Sequence, residues 1–274
     1  MALNSVHTNV SALVALQALN RTNTDMAKVQ SRVSTGYRVS DAKDDSASFA
    51  VAQGLRGNVR GYEAIQEQLS KAKGTMSVSI NASTQISNTL NDVRAVVTKL
   101  ADENVTGSQR TQYEGDYAAL KAEIDRFIAG ASFNGTNILN STTDVNVISN
   151  LSGTTLTLRA SDLATDVSAN LTAITSAADA QAMLGATGGL TTAEANIGTA
   201  MAKLGADSKS LDNQYTYVGV LSDATEEGVG AIVDADLAKE SAKLQALQVR
   251  QQLGTQTLSI ANQSPQILLS LFQG

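Results

Sequence analysis

Large apolar residues recur at alternating steps of three and four along much of the chain. The clearest run is Tyr62, Ile65, Leu69, Ala72, Met76, Ser79, Ser83, Ile86, Leu90, Val93, Val97 and Leu100. Ala72, Ser79 and Ser83 are its small members; the rest are large. This is a heptad seam, and it predicts one helix roughly 58 Å long. Gly107 is expected to close that helix and Ser108 to cap the next. The spacing returns in Tyr113, Tyr117, Leu120, Ile124, Phe127 and Ala131. It returns again in Ile197, Met201, Leu204, Ser208, Leu211, Tyr215, Val218, Ser222, Thr225, Val229 and Ile232. Narrow seams of this kind predict a mainly α fold, a long antiparallel coiled-coil-like helical bundle.

The two ends carry a related but less regular pattern. Leu3, Val6, Val10 and Leu13 share a stripe, which Leu16, Leu19, Met26, Val29 and Val33 continue after a shift of phase. At the other end stand Leu237, Leu244, Leu247, Leu253 and Leu258, then a dense run of Ile267, Leu268, Leu269, Leu271 and Phe272. These segments have too few apolar partners of their own and are expected to be marginal alone in water. Such ends imply burial against other copies. The candidate subunit-interface residues are therefore Leu3, Val6, Val10, Leu13, Leu16, Leu19, Leu244, Leu247, Leu258, Ile267, Leu268, Leu271 and Phe272. Between the helical halves, Phe133-Asn134-Gly135-Thr136 reads as a turn. Val145 and Val147 alternate with polar residues, as do Leu156 and Leu158, which predicts a small β-hairpin. Residues 160–194, rich in Ala, Thr, Ser and Gly, read as an outer tip with a loop at Gly185–Gly189.

Composition narrows the chemistry. The 274 residues suggest one or two domains. Apolar residues make up 42% but aromatics only 4%, which suits packed helices better than a ligand pocket. A net charge of −6 argues against nucleic acid. With no cysteine, disulfides and thiolate chemistry are excluded, and the single histidine, His7, leaves no paired-imidazole metal site. Asp41, Asp44 and Asp45 could suggest a metal cluster, but they lack calcium-loop spacing and read better as a solvated turn and helix cap. No enzyme constellation and no cofactor are expected. No run of 18 apolar residues predicts a membrane span, and the first residues do not read as a secretory signal peptide. The only proline, Pro265, leaves the earlier helices free to run long.

Four segments then carry a specific resemblance. Val33-Ser34-Thr35-Gly36-Tyr37-Arg38-Val39-Ser40-Asp41-Ala42-Lys43-Asp44-Asp45, Phe133-Asn134-Gly135-Thr136-Asn137-Ile138-Leu139, Ile232-Val233-Asp234-Ala235-Asp236-Leu237-Ala238-Lys239-Glu240 and Ala261-Asn262-Gln263-Ser264-Pro265-Gln266 resemble motifs of bacterial flagellins, in the family's order. The short centre is similar to the compact, Caulobacter-like flagellins of alphaproteobacteria. The resemblance implies a filament subunit for swimming motility, extracellular, that polymerises with itself and with paralogous flagellins. It implies a terminal helical domain of residues 1–35 and 236–274 lining the filament channel. A helical rod of 36–140 and 195–235 would surround it, with 141–194 as hairpin and outer surface. It further implies export through the flagellar type III apparatus and contacts with an export chaperone, a filament cap and hook-associated proteins. Arg38, Asp41, Lys43, Asp44 and Asp45 would form an inter-subunit loop. Thr106, Ser108, Thr142, Thr143, Ser152, Thr154 and Thr155 are candidate O-glycosylation sites. The alternative function is a hook–filament junction protein, which shares similar ends; the compact centre favours the filament.

Overall fold

The computed structural model describes residues 9–272, with side chains to Gln263. Helix α1 (Val10–Thr35) is followed by α2 (Ser46–Leu100) and α3 (Gly107–Gly130). A β-hairpin (β1, Val145–Ile148; β2, Thr155–Leu158) leads into the short α4 (Leu163–Asp166), a 3₁₀ turn (Ser168–Asn170) and α5 (Ala177–Leu184). The chain then returns through α6 (Gly189–Val233) and α7 (Leu237–Phe272). The described residues fall into two compact units. One comprises the residues up to Gly57 and those from Thr225 onward; the other is Asn58–Ala224.

In the unit Asn58–Ala224 the heptad seam of α2 is the core. Every seam position from Ile65 to Leu100 is buried, and Tyr62 is half-buried. Facing it are Tyr117, Ile124 and Ile128 of α3, Ala131 just after it, and Ile197, Leu204, Leu211 and Val218 of α6. The two small polar seam residues differ in their accommodation. The Ser79 hydroxyl donates back to the Thr75 carbonyl at 2.9 Å, whereas the buried Ser83 hydroxyl has no hydrogen-bond partner. Two departures from the pattern have physical causes. Helix α2 starts at Ser46, well before its regular seam, because the Asp45 carboxylate accepts the Ala47 and Ser48 amides and so caps the first turn. At the other end, Gly107 and Ser108 do not act as expected. Gly107 opens α3 with a positive φ of 59°, Thr106 occupies the cap position without a side-chain bond, and the Leu100 carbonyl is met by Arg110 Nη1.

The hairpin forms as the alternation predicts. Val145 pairs with Leu158 and Val147 with Leu156, and all four turn toward the core. The 160–194 stretch, read as an outer tip, carries core residues of its own. Leu163, Val167, Leu171, Ile174, Ala180, Met183 and Leu190 are all buried in the same core as α2. Their spacing is irregular because several short elements, not one helix, carry them. The glycine loop is real and sterically required. A Cβ at Gly188 would sit 2.2 Å from the Met183 carbonyl oxygen, and one at Gly189 2.0 Å from that of Asn170.

Candidate assembly surface

Helices α1 and α7 pack against each other in the other unit. The covered positions include Ala12, Ala15, Leu19, Thr22, Met26, Val29 and Val33 of α1, flanked by Asn23 and Arg32, and Glu240, Leu244, Leu247, Gln251, Gly254, Leu258 and Ala261 of α7, flanked by Ser241. Both sets step by three and four, so each is a heptad seam, but one thin in large side chains. Its direction is antiparallel. Asn9 Nδ2 donates to the Ala261 carbonyl at 2.7 Å, Gln251 Nε2 to Asn23 Oδ1 at 2.8 Å, and Arg32 Nη1 to Glu240 Oε1 at 3.2 Å.

A second apolar stripe lies outside this seam. On α1, Val10, Leu13 and Val14 are 62%, 58% and 60% exposed, and Leu16 is also exposed. On α7, Val249, Leu253 and Ile260 are 55%, 57% and 66% exposed. At about 100° per residue each stripe lies roughly half a turn from its own helix's seam, so each faces away from the partner helix. What reads in the sequence as one stripe with a shift of phase is thus two stripes. Val10, Leu13 and Leu16 lie on the outer one; Leu19, Leu244 and Leu258 are half-buried on the seam, and Leu247 is buried there. A groove of about 560 Å³ runs along the outer face of α1 between Leu13, Leu16, Gln17, Asn20, Arg21, Thr24 and Asp25. Leu3 and Val6 lie outside the described residues, as do the side chains of Ile267, Leu268, Leu271 and Phe272.

The seam ends in a neck of backbone bonds. Gly36 terminates α1 at φ +76°, a conformation that favours glycine, and its N–H donates to the Arg32 carbonyl at 2.9 Å. Tyr37 bridges Asp234, the Ala235 amide donates to the Gly36 carbonyl, and the Arg38 and Val39 amides donate to the Val233 carbonyl. A small core of Val39, Ala52, Val229 and Val233 lies below. The Arg56 guanidinium covers the Tyr37 ring at 5.6 Å.

The loop residues are largely engaged within the chain. Asp41 accepts the Lys43 and Asp44 amides. Asp44 accepts the Ser40 amide and hydroxyl and pairs with Lys28 Nζ at 3.4 Å. The Ser40 amide above all holds its carboxyl below the usual range. The Ser48 hydroxyl does the same for Asp45. Arg38 donates to the Ile232 carbonyl, and Lys43 is exposed. No group of three metal-ligating side chains comes together among the described residues, and no described helix is long and apolar enough to cross a membrane.

The seven candidate glycosylation residues, Thr106, Ser108, Thr142, Thr143, Ser152, Thr154 and Thr155, are all exposed. The residues that sequence reasoning missed are the polar members of the terminal seam: Asn23, Arg32, Glu240 and Gln251. Counting them and the alanines as seam positions, rather than large apolar residues alone, would have found the heptads.

Residues 6–144 match the bacterial flagellin N-terminal helical region, and residues 187–272 the bacterial flagellin C-terminal helical region. The chain is 39% identical to flagellin FljM of Caulobacter vibrioides, with all of both chains covered. It is 37% identical to a flagellin of Brucella melitensis, covering 98% of this chain and 99% of that one. Among solved structures, a putative flagellar hook-associated protein from Vibrio parahaemolyticus shares the fold, with a TM-score of 0.56 at 15% identity, over 70% of this chain and all of that one. That likeness speaks to fold alone and does not favour a junction role. With both terminal regions matched and full-length relatives above one-third identity, the chain belongs to the bacterial flagellin family, a family of structural proteins rather than enzymes.

Proposed function

We propose that this protein is a subunit of the extracellular flagellar filament that assembles by burying the outer stripes of α1 and α7 against neighbouring copies. The observation that carries this reading is the set of six strongly exposed apolar side chains on the far sides of a helix pair. A monomer gains nothing by exposing them, whereas a polymer recovers roughly 25 cal/mol for each Å² it covers. Residues 1–35 and 236–274 then line the filament channel and complete their packing on polymerisation. The segments 36–140 and 195–235 form the surrounding rod, and 141–194 lies outermost. In the loop, Arg38, Asp41, Lys43, Asp44 and Asp45 pair with an adjacent copy beside their bonds within the chain, each pair contributing about 0–1 kcal/mol and chiefly setting register. The path to the filament is export through the flagellar type III apparatus, with an export chaperone holding the terminal stripes, and growth beneath a cap on hook-associated proteins. The exposed hydroxyls of Thr106, Ser108, Thr142, Thr143, Ser152, Thr154 and Thr155 are the candidate acceptors for O-glycosylation.

The test is Leu13→Asp and Leu253→Asp in the full chain. Each variant should keep the helix content and solubility of the parent yet form no filaments by electron microscopy. Filaments of normal length from both would overturn the reading.

A further inference from the structure

The segment Phe133-Asn134-Gly135-Thr136 closes as a two-residue turn. The Phe133 amide donates to the Thr136 carbonyl at 2.9 Å, and the Thr136 amide to the Phe133 carbonyl at 3.0 Å. Asn134 and Gly135 both have positive φ, 49° and 79°, as a type I′ turn requires. Among the described residues Asn134 is the only non-glycine in that region, which asparagine tolerates better than most. Both flanks are anchored. The Phe133 ring lies on Gly74 of α2, where a Cβ would come within 2.7 Å of it. Asn137 Nδ2 donates to the Ile128 carbonyl at 2.7 Å, and Ile138 and Leu139 are fully buried.

The tip between these anchors is chemically open. Asn134 and Gly135 are exposed, and neither the Asn134 carboxamide nor the Gly135 amide has a hydrogen-bond partner among the described residues. This is also the only Asn-Gly pair in the chain; every other asparagine is followed by a residue with a side chain. The backbone nitrogen after an asparagine can attack its Cγ. The new N–Cγ bond forms as the amide proton is lost to water. The Cγ–Nδ2 bond breaks, and Nδ2 takes a proton and leaves as ammonia. Water then opens the resulting succinimide at either carbonyl, to aspartate or isoaspartate. A following side chain shields the attacking nitrogen, and glycine has none. The turn opposes the same reaction. Ring closure needs the Gly135 nitrogen on the Cβ side of Asn134, whereas a type I′ turn, with ψ of about +30° there, points it away. The paired bonds between Phe133 and Thr136 must therefore open first.

We propose that Asn134 is a spontaneous deamidation site guarded by its own turn: closed in the folded subunit and open while the chain is unfolded. Water is the only co-reactant. The isoaspartate product routes the main chain through one extra methylene, so the two-residue turn cannot re-form with its reciprocal bonds. Conversion at Asn134 therefore marks chains that have stayed unfolded. The site is a property of the single chain and does not rest on how copies assemble.

Peptide mapping of the full chain tests it. The unassembled chain is held in mildly alkaline buffer, once folded and once in guanidinium chloride. Each asparagine is followed by mass spectrometry for the gain that replacing –NH₂ by –OH gives. In denaturant Asn134 should convert several times faster than any other asparagine. Gly135→Ala, measured in denaturant where its fit to the turn does not matter, should remove that lead. In the folded chain Asn134 should convert several times more slowly than in denaturant, the ratio reporting the fraction of time the turn is open. Another asparagine converting as fast in denaturant would overturn the site, and so would a lead that survives Gly135→Ala. Equal rates at Asn134 in the folded and unfolded chain would overturn the guard.

Discussion

The unit Asn58–Ala224 and the α1–α7 pair use the same heptad spacing to opposite ends. In the first, α2 meets α3, α6 and the irregular 163–190 stretch, and its seam from Ile65 to Leu100 is covered throughout. In the second, each helix has one partner among the described residues, covers one seam of which half the positions are alanine, glycine or polar, and leaves a second apolar stripe open. A heptad pattern alone therefore does not say whether a helix is finished within its own chain. What distinguishes the cases is the number of apolar stripes per helix against the number of helices available to cover them.

Core and stripe substitutions should separate the two regions most widely. Leu90 is buried at the centre of the α2 seam, so Leu90→Ala should destabilise the free subunit by about 2–5 kcal/mol in denaturant unfolding. Leu253→Ala, on the open stripe of α7, should change that stability by less than about 0.5 kcal/mol while weakening assembly. Equal losses of monomer stability would erase the distinction.

The polar contacts of the closed unit should show an intermediate effect. Asp207 of α6 is buried and accepts the Arg159 backbone amide at 2.9 Å and its Nε at 3.0 Å, fastening the end of β2 to α6. The Arg159 side chain is half exposed, which limits the gain from the charge pair itself. Asp207→Ala should cost about 1–2 kcal/mol by the same unfolding measurement.

The helices of this fold were legible in the sequence because their seams are regular. The α2 seam from Ile65, the α3 and α6 seams and the hairpin register all follow from spacing. The 163–190 stretch was not, because Leu163, Val167, Leu171 and Ile174 belong to elements too short to show a period and are diluted by Ala, Thr and Ser. The terminal seam was half legible. Leu19 and Leu247 mark it, but Ala12, Ala15, Thr22 and Gly254 are invisible to a count of large apolar residues. The site's polar members were out of reach for another reason: Arg32 and Glu240 meet only through the antiparallel pairing of segments 208 residues apart. The loop motif around Asp41–Asp45 was readable as a turn and cap, and its carboxylates serve as such within the chain.

The smallest expected effect is one of pH. Burial pushes the Tyr117 phenol well above its ordinary value near 10, and its hydroxyl donates to the Thr172 carbonyl at 2.7 Å. The folded chain thus holds this proton more tightly than the unfolded one. Its contribution is complete below about pH 10 and is lost as pH rises beyond that. Ultraviolet titration should show a late tyrosine step at high pH that Tyr117→Phe removes. A Tyr117→Phe titration with its latest step unchanged would contradict the burial of Tyr117 in the closed unit.

The most direct test of incomplete ends is amide hydrogen exchange measured on free subunits and on assembled filaments of the same chain. Peptides from residues 10–20 and 249–260 should exchange rapidly in the free subunit and gain large protection in the filament, while peptides from 86–100 should be strongly protected in both. Terminal peptides as protected in the free subunit as in the filament would contradict the account.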